Sequence, residues 1–490
     1  MTTFLWHDYE TFGLSPSLDR PAQFAAIRTD ENLNTLGNPI CIYCKPSMDT
    51  MPSPQSIFIT GILPQYCEEH GLTEADFAKL IHKEMIEDDT ISVGYNSMRF
   101  DDEVTRFTFW RNFLPPYDRE FDHGCSRFDL FPLVVATWAL RPQGIEWPMI
   151  EGENRPSFRL EHLSAANGLA HEHAHDALSD VQATIEMARL IREKQPKLWE
   201  FALRNRSKKA VAAMIESDRP LLWVSPIHGA ERGYIRLVKS LGVMPGRSGQ
   251  VLMWDLMVDP TELLELSAEE VRTRLFVKDD ELPEGKTRLP IFLCKINQAP
   301  FIVNHWGVLS EERAQQFGID KALALKHYKV LLPHINELQG LWAEAFEQEE
   351  TQDEQKPDVD ASLYSGGFAS FNDKRLISLV SRMTPETIAQ SVQAGRLTFE
   401  DSRYDEMLFR WRARNWPQTL TLEEAQRWAN CREARLMQGA GGARTLEVFA
   451  QEVEALAESF GEDIDERTEE ICGALYDWME IVSNSLEEPY

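Results

Sequence analysis

Five residues in the first part of this 490-residue chain have the types and spacing to do chemistry. They are Asp8 and Glu10 in HDYETFG, Asp101 in YNSMRFDDE, and His175 and Asp180 in HDALSD. Carboxylates gathered in one place repel one another unless a cation sits between them. Hard oxygen donors of this kind suit Mg2+ or Mn2+ and not Zn2+. With a histidine of near-neutral pKa as general base, such a set matches two-metal phosphodiester hydrolysis. In that scheme two cations about 4 Å apart clamp the scissile phosphate. Asp8 and Asp180 serve the ion that activates the attacking water, and His175 takes the water's proton. Asp8 or Glu10 serves the ion at the leaving 3′ oxygen, and Asp101 acts through a bound water.

Each piece alone has a plainer reading. Asp-x-Glu is as readily a solvated strand end, and Asp101 reads equally as a helix cap. His171, His173 and His175 together read as a metal site or as surface loop residues, but no second ligand group follows at zinc-finger spacing. The elements that carry the residues make them one site. Phe4 to Glu10 reads as a strand, whose alternation puts Asp8 and Glu10 on one face. Ile91 to Tyr95 reads as a buried strand, and Asp101 opens the helix that carries Val104 and Phe107. A helix over 176–194 has an apolar stripe at Leu178, Val181, Ile185 and Ala188 and stops before Pro196. Asp180 lies one turn into it, and His175 lies in the loop before it. Strands from Phe4, Ala22 and Pro39 are predicted to form the antiparallel part of a mixed sheet. Thr73 caps a helix with Phe77, Leu80, Ile81 and Met85 on one face. These elements make an α/β layer fold.

The length predicts two or three domains. We read 1–196 as the α/β domain. Residues 197–348 hold short alternating runs at 221–224, 234–238, 250–254 and 289–293, the pattern of a small β-barrel with helical insertions. The acidic stretch 349–358 reads as a linker and 359–490 as a helical domain. No apolar run is long enough to span a membrane, and the chain enters a strand too early to leave room for a signal peptide. The seven scattered cysteines suit a reducing cytoplasm, with no redox or zinc role for Cys41 and Cys44. The net charge is −29. Residues 447–490 hold fourteen Asp/Glu against the single base Arg467, and 344–360 hold eight acids against Lys356. The acid is therefore localised, and a basic groove elsewhere remains open.

Asp8-x-Glu10, Asn96-(x)3-Phe100-Asp101 and His175-(x)4-Asp180 resemble the three motifs of the DEDDh exonuclease group, with its ribonuclease-H-like fold. HDYETFG, DRPAQFAAIRTD, ITGI, GYNSMRFDDEVTR, RNF, PSFRLEHL and AHDALSD resemble the bacterial exonuclease I family more closely. The resemblance covers nearly the whole chain. It implies an exonuclease domain, an SH3-like β-barrel domain and a C-terminal helical domain. It also implies processive 3′→5′ degradation of single-stranded DNA to 5′-mononucleotides, with two Mg2+ ions that Mn2+ can replace, in DNA repair and recombination. By that resemblance Arg106, Arg159, Lys208 and Tyr364 would contact substrate. Glu10, Tyr117, Phe121 and Ser157, in or beside the motifs, are further candidates for holding a single strand, with the aromatics reading equally as core. Arg141, near Trp138 and Phe201, would receive the acidic, apolar-tipped tail of single-stranded DNA-binding protein. Where the family pattern carries a basic residue before Ala139-Leu140-Arg141, this chain has Val135. The chain is expected to act as a monomer.

Two further basic stretches stay open on the sequence. Arg236, Lys239 and Arg247 read equally as a phosphate-facing stripe or a protected strand edge. Arg410, Arg412 and Arg414 read as a DNA path or, more commonly, as exposed arginines on a core helix. Two other functions remain in view. One is the same catalytic fold acting on RNA ends or as a proofreading exonuclease, against which stand the two appended domains. The other is a non-catalytic single-strand-binding scaffold, against which stands the full set of five site residues.

Overall fold

The computed structural model describes residues 1–169, 176–347, 357–460 and 466–487. The chain divides into two compact units: Met1–Ser126, His171–Gln182 and Gln355–Tyr490 form one, Arg127–Ala170 and Ala183–Glu354 the other.

A five-stranded mixed sheet has the order β3-β2-β1-β4-β5, with β1 Thr3–Thr11, β2 Pro21–Thr29, β3 Thr35–Tyr43, β4 Thr90–Gly94 and β5 Ser126–Asp129. β1, β2 and β3 are antiparallel neighbours, and β4 runs parallel to β1. The third strand begins at Thr35, earlier than the Pro39 expected, because its exposed first half still pairs with β2 at Thr29 and Arg28. Helix Glu74–Met85 is capped by Thr73 and buries Phe77, Ala78, Ile81 and Met85. These side chains pack on Leu5, Tyr9 and Phe24 of the sheet.

The second sheet is antiparallel, in the order β10-β6-β7-β8-β9. Its strands are β6 Leu221–Val224, β7 Ile235–Val243, β8 Gln250–Asp255, β9 Ile291–Lys295 and β10 Phe301–Val303. One face buries Leu221, Trp223, Val238, Val251, Met253 and Ile302 around helix Lys208–Glu216. Of the three bases that read equally as a phosphate-facing stripe or a protected strand edge, two are engaged in or beside this sheet. Arg236 pairs with Asp255 and lies over the Phe292 ring, and the Lys239 side chain is buried beside Asp218. Arg247 alone of the three is exposed.

The C-terminal region is helical, and it grows from the same core as the helix that begins at Asp101. Phe107, Trp110 and Phe113 of that segment share one cluster with Leu376, Ile388, Tyr404, Met407 and Trp411. A second cluster joins Phe12, Met51 and Ile57 to Phe449, Val453, Ile471 and Trp478. Between these clusters lies a buried ion network. Asp360 receives Arg20 at 2.9 Å and Arg414 at 2.6 Å. Asp49 receives Arg414 at 2.7 Å and Arg435 at 2.9 Å, and Asp358 receives Arg410 at 2.8 Å. Arg412 is buried on Glu424. The arginines of Leu408–Asn415 are therefore neither a DNA path nor an exposed face. Their guanidiniums neutralise buried carboxylates, since an unpaired charge at such depth is costly.

No described helix is long and apolar enough to cross a membrane. All seven cysteines are free thiols.

The Arg charges beside Asp49 and Asp360 outweigh burial and hold both carboxyls well below the usual carboxylate range. Their contribution to stability is full above the unfolded value near 4 and is lost as pH falls below it. Asp360→Asn leaves the buried Arg414 and Arg20 short of a counter-charge. We expect a loss of about 3–5 kcal/mol in urea denaturation at pH 7. The gap to wild type should narrow as pH falls below about 4, where the unfolded chain takes up a proton that folded Asp360 resists and the stabilisation drains away.

Candidate active site

β1 carries the first two carboxylates. The strand is buried on both faces at Phe4, Leu5, Trp6 and Tyr9, while Asp8 and Glu10 are half-buried. Their shared direction follows from the two-residue alternation of the strand. Asp180 stands on the first turn of helix Ala177–Lys194. Carboxylate oxygens of Asp8, Glu10 and Asp180 all lie within 4.8 Å of one another.

Asp101 is the first residue of helix Asp101–Arg111 and does not cap it; Phe100 holds the cap position, with no side-chain hydrogen bond. The Asp101 carboxylate instead turns back to β1, where Oδ1 accepts the Tyr9 backbone N–H at 3.2 Å. Thr105 Oγ1 lies 2.8 Å from the Asp101 carbonyl and 3.1 Å from the Tyr9 hydroxyl. Helix start and strand are thereby tied at the residue between Asp8 and Glu10. His7, on the other side of Asp8, is buried; burial and then the Arg119 charge lower its pKa to about 3, so it is no base at neutral pH.

Burial, followed by the charges of Asp101, Glu10 and Asp180, pushes the Asp8 carboxyl well above its ordinary value. Burial, followed by Asp180 and Asp101, raises Glu10 to about 8. A cluster that resists ionisation this strongly is one that a divalent cation would relieve. The all-oxygen donor set fits such an ion, with Asp8, Glu10 and Asp180 as its holders. His175, with His171 and His173, lies outside the described residues.

The other expected contact residues divide by surroundings. Arg106 is buried and paired with Glu103 and with Glu120 at 2.8 Å; it also donates to the Tyr364 hydroxyl at 3.2 Å. It lies over the Tyr117 ring. Tyr364 is 54% exposed and Phe121 71% exposed, so both offer open aromatic faces. In the other unit, Ser157 is buried and its hydroxyl is held by His162 Nδ1 at 2.8 Å and by the Arg159 N–H. Arg159 is an exposed cation beside Glu161, and Lys208 is the exposed first residue of its helix. Arg141 lines a cavity of about 520 Å3 with Lys197, Leu198, Phe201, Phe301 and His305. Its guanidinium donates to the Val308 carbonyl at 2.8 Å. Trp138, expected beside it, lines a different cavity with Tyr234, Arg313 and Phe317.

Sequence reasoning passed over Tyr9, Thr105 and Gln23. Gln23 is the one amide in the apolar run PAQFAAI and pairs directly across from Glu10. A lone polar residue inside a buried strand was the available signal.

A mixed sheet with acids on its first strand, on the helix after its fourth strand and on a later helix defines an exonuclease-class nuclease domain. The comparisons agree. An Exonuclease family profile matches residues 5–188, an Exonuclease I SH3-like domain profile residues 206–348, and an Exonuclease I C-terminal domain profile residues 357–482. The chain belongs to the exonuclease I family. It is 41% identical over 441 residues to exodeoxyribonuclease I of Haemophilus influenzae, covering 89% of this chain and 91% of that protein. The solved structure of Escherichia coli exonuclease I with a dA16 oligonucleotide superposes with a TM-score of 0.90 at 39% identity, over 98% of this chain and all 100% of that one. A zinc-ion-bound form of the E. coli enzyme with single-stranded DNA gives a TM-score of 0.88 at 39% identity, over 99% of this chain and 100% of that one. The resemblance read from the motifs therefore holds across all three regions of the chain.

With Glu10 raised to about 8, the cation-free fold keeps a proton that the unfolded chain loses near its ordinary value of 4.5. Stability of the cation-free protein should fall as pH rises between those values. A divalent cation should reverse this, so the Tm gain on adding Mg2+ is expected to be larger at pH 8 than at pH 6. Differential scanning fluorimetry with Mg2+ and with EDTA checks it. An equal gain at both pH values would contradict the assignment of Glu10 to the site.

Proposed function

We propose that this chain degrades single-stranded DNA processively from the 3′ end, releasing 5′-mononucleotides by hydrolysis, in the service of DNA repair and recombination. One observation carries the reading. Oxygens of Asp8, Glu10 and Asp180 converge within 4.8 Å on a chain that belongs to the exonuclease I family along its length. The domain division we propose is 1–196 for the exonuclease, 197–348 for the SH3-like barrel, 349–358 for the linker and 359–490 for the helical domain.

Asp8, Glu10 and Asp180 would hold the divalent cations, with Mg2+ the expected ion and Mn2+ a substitute. Bound there, such ions supply Lewis-acid stabilisation of phosphate charge and a nucleophilic water at neutral pH. The residues do the remainder. Asp101 fixes the corner by gripping the Tyr9 N–H and adds negative charge to it. His175 is assigned as the base that takes the proton of the attacking water on a ring nitrogen. Arg159 and Lys208 are assigned to the DNA backbone, and Tyr117, Phe121 and Tyr364 to bases, which stack on aromatic faces regardless of sequence. Arg106 is assigned to a phosphate as well; its Nε and Nη1 are engaged by Glu120, Glu103 and Tyr364. Ser157 contributes by holding the turn that presents Arg159.

We assign the cavity beside Arg141 to the tail of single-stranded DNA-binding protein, because it sets cations Arg141 and Lys197 beside apolar Leu198, Phe201 and Phe301. The free thiols suit a reducing cytoplasm, and we propose a monomer.

Labelled single-stranded DNA, duplex DNA and RNA, each with Mg2+ and with EDTA, test the main reading. Rapid cleavage of single-stranded DNA alone, lost in EDTA, is expected. Asp8→Ala and Asp180→Ala should each lower kcat by at least about 1,000-fold while DNA binding persists, on the scale of removing an essential catalytic group. A trap of unlabelled competitor should leave tracts of successive cleavage. Near-full activity in Asp180→Ala would overturn the assignment. Arg141→Ala should weaken binding of the acidic tail peptide by about 1.5–3 kcal/mol, the scale of a charged hydrogen bond, in isothermal calorimetry, with cleavage of free oligonucleotide unchanged.

A further inference from the structure

We propose that Gln23 is a positioning residue: it fixes where the helix bearing Asp180 begins relative to β1, and so sets the spacing of the carboxylate corner. The inference rests on the reading of that corner as a divalent-cation site.

Gln23 lies on β2 at 2% exposure, directly across from Glu10 on β1 and from Tyr43 on β3. Its carboxamide joins β2 to both β3 and the start of the helix that carries Asp180. Oε1 accepts the Ala177 N–H at 3.4 Å. Nε2 lies 3.1 Å from the Tyr43 hydroxyl, 3.3 Å from Cys41 Sγ and 3.4 Å from Asp176 Oδ1. Asp176 in turn accepts the Ser179 N–H at 3.3 Å, closing the first turn of the helix. The first N–H groups of a helix have no partner inside the helix. Here one of them is met by a side chain rooted in the sheet.

Asp180 follows Ala177 by three residues, within a single turn. A shift of the helix start therefore moves its carboxylate against Asp8 and Glu10. Only an amide meets both demands, since it accepts from Ala177 and donates toward Asp176. A carboxylate of the same size accepts but cannot donate, and it would face Asp176 as a like charge. A plain packing role predicts something else. Loss of the amide would then cost stability and leave cation affinity untouched.

The test uses the full-length protein. Mn2+ affinity is read by electron paramagnetic resonance titration without DNA, kcat and KM on single-stranded DNA, and Tm by calorimetry. The variants are Gln23→Glu, Gln23→Met, which keeps the volume without the hydrogen bonds, and Gln23→Glu with Asp176→Asn, which moves the donor to the other side of the pair. We expect Gln23→Glu and Gln23→Met to weaken Mn2+ binding about 10–100-fold, the usual scale for groups that orient metal ligands. kcat should fall with KM nearly unchanged, and the double variant should recover most of the loss. Mn2+ affinity within about twofold of wild type in Gln23→Met would overturn the inference, because groups that orient ligands cost at least tenfold. So would equal losses in Gln23→Glu and the double variant. Should Gln23→Glu not fold, Gln23→Met decides alone. A wild-type protein that neither binds Mn2+ nor cleaves would instead remove the catalytic reading beneath it.

Discussion

Mutual repulsion among carboxylates is the constraint on which the rest of this molecule depends. Asp8, Glu10, Asp101 and Asp180 come from a strand and two helices far apart in sequence. Brought together they oppose their own ionisation, as the raised values of Asp8 and Glu10 record. A fold that only needed stability would not assemble such a corner. It persists because neighbouring groups over-determine it: the Tyr9 N–H grips Asp101, Thr105 bridges strand and helix, and Gln23 meets the start of the third element. The strain is local, and packing elsewhere in the unit holds it.

Much of that packing comes from the C-terminal helices. They do not form a separate body; they share a core with the helix that begins at Asp101. The buried network of Asp49, Asp358 and Asp360 with Arg20, Arg410, Arg414 and Arg435 sits between the apolar clusters. Hydrophobic contact is non-directional. Ion pairs with unpaired alternatives this costly are directional, and they allow one register between the N-terminal segment and the helices. The helix that begins at Asp101 is therefore braced by a region that contributes none of the four acids.

The sequence made the site legible because its signals are local and periodic. Asp8 and Glu10 follow from strand alternation, and Asp180 from its place one turn into a helix with a clear apolar stripe. Asp101 was ambiguous, since a helix-opening Asp is usually a cap, and only the tertiary contact to Tyr9 decides otherwise. The arginines of Leu408–Asn415 were misjudged for the same reason. Their partners Asp49, Asp358 and Asp360 lie tens to hundreds of residues away, and no periodicity announces a pair at that separation. Arg236 and Lys239 fail likewise, because Asp255 and Asp218 lie on other elements. A cationic side chain read without its partner looks available, and at Arg236, Lys239, Arg410, Arg412 and Arg414 it is not.

That last point bears on how an acidic protein handles a polyanion. Acids outnumber bases 79 to 50, and many bases are already spent on buried carboxylates. On the function proposed above, attraction to phosphate falls to exposed cations, Arg159 and Lys208 among them, with the open aromatic faces of Phe121 and Tyr364 beside them. Stacking is insensitive to net charge, whereas long-range attraction is not. The surplus acid is concentrated at 447–490 and 344–360. Screening confines its field to about 8–10 Å at ordinary ionic strength. A few well-placed cations and exposed rings can therefore serve a substrate that the protein as a whole repels, with the repulsion felt in the rate of encounter more than in the grip.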